Sequence, residues 1–230
     1  RDVFLWLGVV NLVAAPILLA GSRGKQSVTT APPASSQDGS SLGQAARTRS
    51  FWLLVAFYAI CGFQDFFVSS HVVAFALDQG EGALFAGNLL AFMGLCGLIG
   101  VLGAGAWSDR SGPVAPTLAC FWLRIAIFAI ILVDQSSVSI AVFALGFGLT
   151  FWVTAPLTVI FTRDLFGTRN LGLISGLVTM IHHMAGGLGA LLGAVFFDSA
   201  GDYTGAFWLM LIVSAAATAV TYAFVWARAR

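Results

Sequence analysis

Six long apolar segments restrict what this sequence can fold into. Each has 18 or more residues: Phe51–Leu77, Leu84–Trp107, Pro116–Val133, Ser137–Thr162, Leu171–Phe197 and Thr204–Ala227. A helix needs about 20 residues to cross the roughly 30 Å hydrocarbon core of a bilayer. Only 9% of the residues are charged, against about 25% in a typical soluble domain. The segments therefore predict a polytopic helical membrane protein.

The N-terminal 50 residues differ from the rest of the chain. Val3–Ala20 is a seventh apolar segment, whereas Gly21–Ser50 is rich in Gly, Ser, Thr, Pro, Gln and Ala, a composition that does not bury a core. We predict an all-α fold with seven transmembrane helices in three parts: a helix in residues 1–20, a flexible linker in residues 21–50, and a six-helix bundle in residues 51–230. Because the chain begins without Met, we expect it to be the C-terminal part of a longer protein.

The basic residues predict the orientation in the membrane. The turns between segments are short, so successive helices should be antiparallel neighbours. Nine of the 11 Lys and Arg residues then fall on one side: Arg23, Lys25, Arg47, Arg49, Arg110, Arg163, Arg169, Arg228 and Arg230. Arg1 lies on the other side with Asp78, Glu81, Asp134, Asp198 and Asp202. The positive-inside rule places linker 21–50 and the C-terminus in the cytoplasm, and we expect a multi-pass protein of the cell (inner) membrane.

A charged motif ends the second of the six segments. Gly105, Asp109, Arg110 and Gly112 have the spacing G-x-x-x-D-R-x-G. Gly105 would let helices approach closely, Asp109 can accept hydrogen bonds at a neighbouring helix N-terminus, and Arg110 can pair with a facing acid. Together they would latch one end of the bundle in one state.

With this motif, the chain resembles the major facilitator superfamily. Members of this superfamily carry the same loop between their second and third helices, and many carry it again between helices eight and nine. The resemblance implies that Val3–Ala20 corresponds to helix six and residues 51–227 to helices seven to twelve. It also implies that a missing N-terminal bundle is a partner of this chain.

Further stretches resemble one branch of the superfamily. They are residues 70–80 (SHVVAFALDQG), 164–172 (DLFGTRNLG) and 181–189 (IHHMAGGLG). They are similar to the bacterial branch related to monocarboxylate transporters and oxalate/formate antiporters, in which a His-Gln pair is common where His182 and His183 stand. This implies alternating-access transport of a small organic anion such as a monocarboxylate, with a coupling proton as a further candidate. The alternative is a truncated or regulatory membrane protein without transport activity of its own.

Two charged residues fall inside the predicted spans, where charge is costly and tends to be functional or paired. Arg124 is either a countercharge for an anionic substrate or one half of a structural ion pair with Asp65. Asp65 in turn either binds a proton or pairs with Arg124. The sequence leaves both alternatives open.

Polar residues on other spans are further candidates for the substrate or proton pathway. Ser175, Thr179, His182, Gly186, Gly189 and Gly193 recur at helical spacing and form one face. This face is either a helix-packing seam throughout or a seam in its glycine half and a cavity wall in its polar half. His183 lies about 100° round the helix. Gln64 and His71 are seven residues apart on one face and are expected to form a hydrogen bond at the rim of the bundle. Pro156 is expected to kink the fourth of the six spans.

No cofactor, metal or nucleic acid is expected as a partner, and the chain is not expected to be an enzyme. Adjacent histidines point about 100° apart, and the sequence contains no nucleophile motif or phosphate-binding loop. Cys61, Cys96 and Cys120 all lie in apolar segments and are interpreted as packing thiols. The expected partners are a small-molecule substrate, the lipid bilayer and the missing helices.

Overall fold

The computed structural model describes residues 39–228, together with Leu12, Val13 and Pro16. The chain divides into two units, residues 1–37 and residues 38–230. The predicted helix Val3–Ala20 therefore lies outside the described residues except at those three positions, and it stays a prediction. The same holds for residues 21–38 of the predicted linker.

The described part of the second unit is helical. Its helices are α1 (Leu42–Ala45), α2 (Arg49–Asp78), α3 (Ala83–Ser111), α4 (Val114–Val133), α5 (Ser137–Phe151), α6 (Thr154–Phe166), α7 (Leu171–Ala200) and α8 (Thr204–Arg228). Six stretches are long and apolar enough to cross a membrane, with α5 and α6 together forming one of them. The all-α membrane fold is thus confirmed, with six of the seven predicted spans in the described residues.

Local sequence explains where several helices begin and end. The Thr48 hydroxyl accepts a hydrogen bond from the Phe51 N–H at the start of α2, and Ser136 does the same for Ser139 at the start of α5. Gly112 and Gly167 end α3 and α6 with φ angles of 78° and 75°. An L side chain strains the backbone in that region, so both turns require glycine.

Glycines allow α2 and α7 to meet backbone to backbone. A Cβ atom on Gly189 of α7 would lie 1.9 Å from the carbonyl oxygen of Phe63, and one on Gly62 of α2 would lie 2.2 Å from that of His182. Gly186 and Gly193 of the predicted small-residue face are buried in the same contact. A seam of this kind gives membrane helices close van der Waals contact. The glycine half of that face is therefore a packing seam, as both predicted alternatives expect.

Two aromatic-rich clusters fill the bundle and leave a polar layer between them. Along α2, one cluster ends at Cys61 and the other begins at Phe67. Along α4 the corresponding limits are Phe121 and Ile127. Buried polar side chains lie between the clusters, namely Gln64, Asp65, Arg124, Thr150 and Ser214. Asp65 lies near the middle of the 30-residue helix α2, so this layer lies at the mid-depth of the bundle.

The last part of the predicted flexible linker is structured, which corrects its boundary. The Ser40 N–H donates to the Phe166 carbonyl at 2.8 Å, and the Asn170 side chain donates to the Ser40 carbonyl at 3.0 Å. Ala45 of α1 is fully buried. Gly39 and Ser40 thus pair with the turn between α6 and α7, and α2 begins at Arg49 rather than Phe51.

Candidate functional site

The centre of the polar layer is an ion pair between Arg124 and Asp65. The Arg124 Nη2 lies 2.6 Å from Asp65 Oδ1, and the two residues are 0% and 4% exposed. A buried ion pair needs further hydrogen bonds to offset the cost of removing both charges from water. The ion pair that the sequence offered as one alternative is therefore present.

Every N–H group of Arg124 has a partner. Besides Asp65, the guanidinium donates to the Thr150 hydroxyl and carbonyl at 3.0 and 3.3 Å, to Gln64 Oε1 at 3.2 Å, and to the Cys61 carbonyl at 3.4 Å. These five bonds equal the five donors of a guanidinium. Its Cζ also lies 4.5 Å from the centre of the Phe147 ring. Arg124 therefore has no free donor for a substrate in this state, although its charge lies beside the cavity described below.

The second carboxylate oxygen of Asp65 faces a thiol. Cys61 Sγ lies 3.3 Å from Asp65 Oδ2 and 2.9 Å from the Thr154 hydroxyl oxygen. Cys61 is one helical turn before Asp65, which puts both on one face of α2. The prediction of a packing thiol was therefore incomplete, because Cys61 links the Asp65 carboxylate to the start of α6.

A cavity of about 420 Å³ opens beside the ion pair. Its wall consists of residues from α2, from the α5–α6 region and from α7: Tyr58, Asp65, Phe66, Phe151, Trp152, Thr154, Ala155, Pro156, Val159, Thr179, His182 and His183. Arg124 does not line it. The cavity is thus mostly apolar, with one carboxylate, two imidazoles and a few hydroxyl groups.

The two histidines lie in the cavity wall in different environments. His182 is buried, stacks on Tyr58 with ring centres 4.2 Å apart, and has Nδ1 3.0 Å from the Tyr58 carbonyl. His183 is exposed, and its Nδ1 lies 2.8 Å from the Thr179 carbonyl. A carbonyl only accepts hydrogen bonds, so Nδ1 carries the proton in both rings and Nε2 can bind another. Thr179 and His182 of the polar half of the α7 face thus line the cavity, as the second predicted alternative expects, whereas Ser175 does not line it.

Gln64 and His71 do not bond each other, which corrects the rim hydrogen bond. The Gln64 amide is fully buried and donates to the Ser214 hydroxyl at 2.6 Å and the Met210 carbonyl at 2.9 Å. His71 lies 2.9 Å from the Ala190 carbonyl and 3.3 Å from the Tyr203 hydroxyl. Both residues lie outside the cavity wall. They tie α2 to different neighbours because residues on one helical face can still meet different helices.

The four residues of the G-x-x-x-D-R-x-G motif lie at the C-terminal end of α3, where Gly112 is the C-cap. Asp109 and Arg110 are exposed, and the Arg110 guanidinium donates to the Ala106 carbonyl of its own helix at 3.0 Å. Within residues 39–228, no carboxylate forms an ion pair with Arg110, and the Asp109 side chain forms no ion pair or hydrogen bond. A Cβ on Gly105 would meet no neighbouring atom of the described residues within 4 Å. Gly105 thus makes no close helix approach within the described residues, so its expected role in the latch stays a prediction, whereas Gly112 provides the turn.

One group of side chains has metal-ligating atoms near each other but does not fit a metal. Atoms of Cys61, Asp65 and His182 lie within 4.8 Å of one another. The Asp65 carboxylate is already bonded to Arg124 and Cys61, and His182 Nδ1 is engaged by a carbonyl. The Arg124 guanidinium, which lies 2.6 Å from the Asp65 carboxylate, would also repel a metal cation bound there.

Comparison with known proteins identifies the family. The sequence profile described as "Uncharacterised MFS-type transporter YbfB" matches residues 1–226. The chain belongs to this family of the major facilitator superfamily. Among curated proteins, the chain is 33% identical over 140 residues to monocarboxylate transporter 13 of Rattus norvegicus, covering 60% of the chain and 32% of that protein. It is 28% identical over 149 residues to the uncharacterized MFS-type transporter YcxA of Bacillus subtilis (strain 168), covering 62% and 36%.

Solved structures show the same superfamily fold. The crystal structure of a variant of the E. coli fucose:proton symporter FucP matches with a TM-score of 0.60 and 20% identity, covering 82% of this chain and 45% of that one. The chain thus spans about a third of the length of its curated relatives and less than half of FucP. The predicted family and fold are confirmed, and the monocarboxylate transporter relative agrees with the predicted branch. These relatives are transporters, which agrees with the prediction that this major facilitator chain is not an enzyme.

Sequence reasoning missed several residues of the site. Tyr58, Cys61, Thr150 and Thr154 all contact the ion pair or the cavity wall. The helical spacing of Tyr58, Cys61 and Asp65 could have placed these three on one face of α2. No sequence signal points to Thr150 or Thr154, because their contacts with Arg124 and Cys61 depend on how their own segment packs against α4 and α2.

Proposed function

We propose that the complete protein is a secondary active transporter that moves a small monocarboxylate together with a proton by alternating access. The observation that carries this proposal is the Asp65–Arg124 pair beside the cavity, at the mid-depth of the bundle. Sites at this depth, between two halves that rock against each other, are typical of such transporters. The relationship to a monocarboxylate transporter and the fold shared with a fucose:proton symporter support the same mechanism.

The charge of the pair explains why proton and anion would bind together. Ionised Asp65 neutralises Arg124, so the site carries no net charge. A proton on Asp65 leaves the Arg124 charge uncompensated in a low-dielectric environment, where isolated charge is costly. An anion in the adjacent cavity would restore neutrality. Protonation therefore favours anion binding, and release of the anion favours loss of the proton.

The cavity wall indicates the class of anion. One cationic centre behind the wall matches a single carboxylate, and His182 and His183 can donate to it from Nε2 when protonated. Phe66, Phe151 and Trp152 offer ring faces to an apolar substrate body. We therefore propose a monocarboxylate with an apolar body as the substrate, rather than a dicarboxylate or a sugar.

Other parts of the protein would complete the transporter. Only 22% of the residues in an apolar 18-residue stretch of α3 and of α7 are buried, against 61% in α2. We infer that an N-terminal bundle covers part of these exposed faces and the open side of the cavity. The motif of Gly105, Asp109, Arg110 and Gly112 would contact that bundle as a gate. The positive-inside rule supports a cell (inner) membrane location with linker 21–50 and the C-terminus in the cytoplasm. A truncated or regulatory protein is not favoured, because the relatives are transporters.

Binding measurements on the full-length protein test the proposed substrate class. Thermal unfolding in nanodiscs is compared with phenylacetate, lactate, oxalate and fucose. Phenylacetate should raise the Tm most, and more at mildly acidic than at alkaline pH. Trp152→Ala should weaken this effect, whereas Trp122→Ala should not, because Trp122 has a similar exposure (54% against 52%) but lies outside the cavity wall. Stabilisation by fucose and by none of the acids would contradict the proposal.

A further inference from the structure

The helix that crosses the membrane beside the ion pair is broken at Trp152 and Val153. Pro156 has no N–H group, and its ring excludes the carbonyl of Trp152 from the helical pattern. The Val153 N–H instead donates to the Thr150 carbonyl at 3.3 Å. The break confirms the predicted kink and leaves Trp152 half-exposed in the cavity wall.

The two carboxylate oxygens of Asp65 connect to opposite sides of this break. Oδ1 accepts from Arg124, which also donates to the carbonyl and hydroxyl of Thr150 at the end of α5. Oδ2 faces Cys61 Sγ, which contacts the hydroxyl of Thr154 at the start of α6. Each side of the break is therefore tied to the same carboxylate through one intermediate side chain.

A proton on Asp65 would change both connections. On Oδ2 it makes Asp65 a donor to Cys61 Sγ, so the thiol hydrogen must turn towards the Thr154 oxygen and the Thr154 hydroxyl can no longer donate to sulfur. Oδ1 loses its negative charge, so its bond from Arg124 changes from an ion pair to a hydrogen bond between a cation and a neutral oxygen, which is weaker. The hydrogen bonds that run from Asp65 through Cys61 to Thr154 therefore reverse their direction. The connection from Asp65 through Arg124 to Thr150 becomes weaker.

We propose that Cys61, Thr150 and Thr154 are positioning residues through which the protonation state of Asp65 sets the geometry of the α5–α6 break, and with it the position of Trp152 in the cavity wall. This inference rests on the proposed role of Asp65 as the proton site. It adds that the proton changes the shape of the cavity as well as its charge.

The surroundings of Asp65 favour it as the group that responds to pH. The titratable or charged groups that act on it are Tyr58 and Cys61 of α2, Arg124 and Cys120 of α4, and His182 of α7. From α5 and α8 the polar layer receives the neutral side chains of Thr150 and Ser214, and from α6 the neutral Thr154 contacts Cys61 beside it. His182 contacts the Tyr58 carbonyl rather than Thr150 or Thr154, so its titration does not act directly on the break.

Fluorine NMR of the full-length protein labelled with 5-fluorotryptophan tests this inference. The Trp152 resonance is assigned by its loss in Trp152→Phe, and Trp122 serves as the reference because it lies outside the cavity wall. The Trp152 resonance should shift between alkaline and acidic pH while the Trp122 resonance stays constant. Asp65→Asn should hold Trp152 near its acidic position at every pH. Cys61→Ala and Thr154→Val should each remove much of the shift.

Conservative variants separate positioning from general damage. Cys61→Ser and Thr154→Ser keep a donor and an acceptor at each position, so the pH shift of Trp152 should persist. A shift that is unchanged in Cys61→Ala and Thr154→Val, or absent in the wild-type protein, would overturn the inference.

Parallel uptake measurements distinguish this failure from failure of the proposed function. If uptake is proton-coupled through Asp65 but Trp152 does not move, the positioning role is wrong and the proposed function stands. If the Trp152 resonance shifts with the protonation of Asp65 but uptake is independent of protons, the positioning role stands and the proposed proton coupling is wrong.

Discussion

The chain contains two combinations of Asp and Arg, in opposite environments. Asp109 and Arg110 are adjacent and exposed at the end of α3, and they form no ion pair within the described residues. Asp65 and Arg124 are 59 residues apart, buried, and 2.6 Å from each other. The adjacent pair fits a motif that indicates the family, whereas the distant pair fits no motif and carries the proposed chemistry.

Solvent explains why the two combinations should behave differently. Water stabilises exposed charges whether or not they are paired, so a surface ion pair contributes at most about 1 kcal/mol. A buried charge depends on its partner, and removing that partner leaves an uncompensated charge in the interior. Substitutions in the buried pair should therefore have larger effects than substitutions in the exposed pair.

Removing Arg124 should have the largest effect on stability. Arg124→Ala leaves the Asp65 carboxylate buried without its partner and should cost about 3–5 kcal/mol, measured by thermal unfolding of the purified protein. Arg110→Ala is the matched control and should cost about 1 kcal/mol or less. The double variant Asp65→Asn with Arg124→Gln should recover part of the loss, because it removes both charges. Equal losses of stability in Arg124→Ala and Arg110→Ala would contradict the expected difference between the buried and the exposed arginine.

Two glycines of α3 extend the comparison from charge to packing. A Cβ on Gly100 would lie 1.9 Å from the Leu149 carbonyl oxygen, whereas one on the motif residue Gly105 meets nothing within 4 Å in the described residues. Gly100→Ala should therefore separate α3 from α5 at a cost of about 1–3 kcal/mol. Gly105→Ala should be neutral or should stabilise the helix by up to about 1 kcal/mol. Thermal unfolding of both variants checks this, and a larger loss in Gly105→Ala would contradict it.

The motif should affect transport without affecting stability. Asp109→Asn and Arg110→Gln remove charges that make no ion pair within residues 39–228, so the Tm should stay close to that of the wild type. If these residues contact the remaining helices in one state, uptake by the full-length protein should become slower. Normal uptake in both variants would show that the motif does not act as a gate.

Asp134 should show a smaller, local pH effect. It is exposed in the α4–α5 turn, and hydrogen bonds from Ser136 and Ser139 hold the pKa of its carboxyl below the usual value of 3.8. A lowered native pKa adds stability that is fully present above the usual pKa and is lost as the pH falls through the native value. Ser136→Ala should raise the pKa of Asp134 towards 3.8, as measured by NMR titration. An unchanged pKa would exclude these bonds as its cause.

Much of the fold could be predicted because membrane helices depend on local properties. Apolar length gave the six spans, Pro156 gave the kink, and the spacing of Gly186, Gly189 and Gly193 gave the seam of α7. Each of these signals lies within one helix. Helix ends were less accurate, since capping by Thr48 extends α2 to Arg49.

The site was less predictable because it depends on which helices meet. α2 packs mainly against α7 and α8, and α4 against α8 and α5, so the long Arg124 side chain must reach across to Asp65. The contact of Thr150 with Arg124 depends on how far the Arg124 side chain extends, and the contact of Cys61 with Thr154 depends on the break between α5 and α6. The same limitation explains the wrong bond between Gln64 and His71, which share a face of α2 but meet different helices.

The central claim is that Asp65 carries the coupled proton while Arg124 supplies the positive charge for the anion. The most direct test is simultaneous measurement of proton and monocarboxylate flux through full-length wild-type protein and Asp65→Asn in liposomes. Asparagine keeps an acceptor for Arg124 but cannot exchange a proton, so we predict that the variant still exchanges the anion across the membrane and loses both proton flux and proton-driven accumulation. Proton-driven accumulation at the wild-type level in Asp65→Asn would contradict the account.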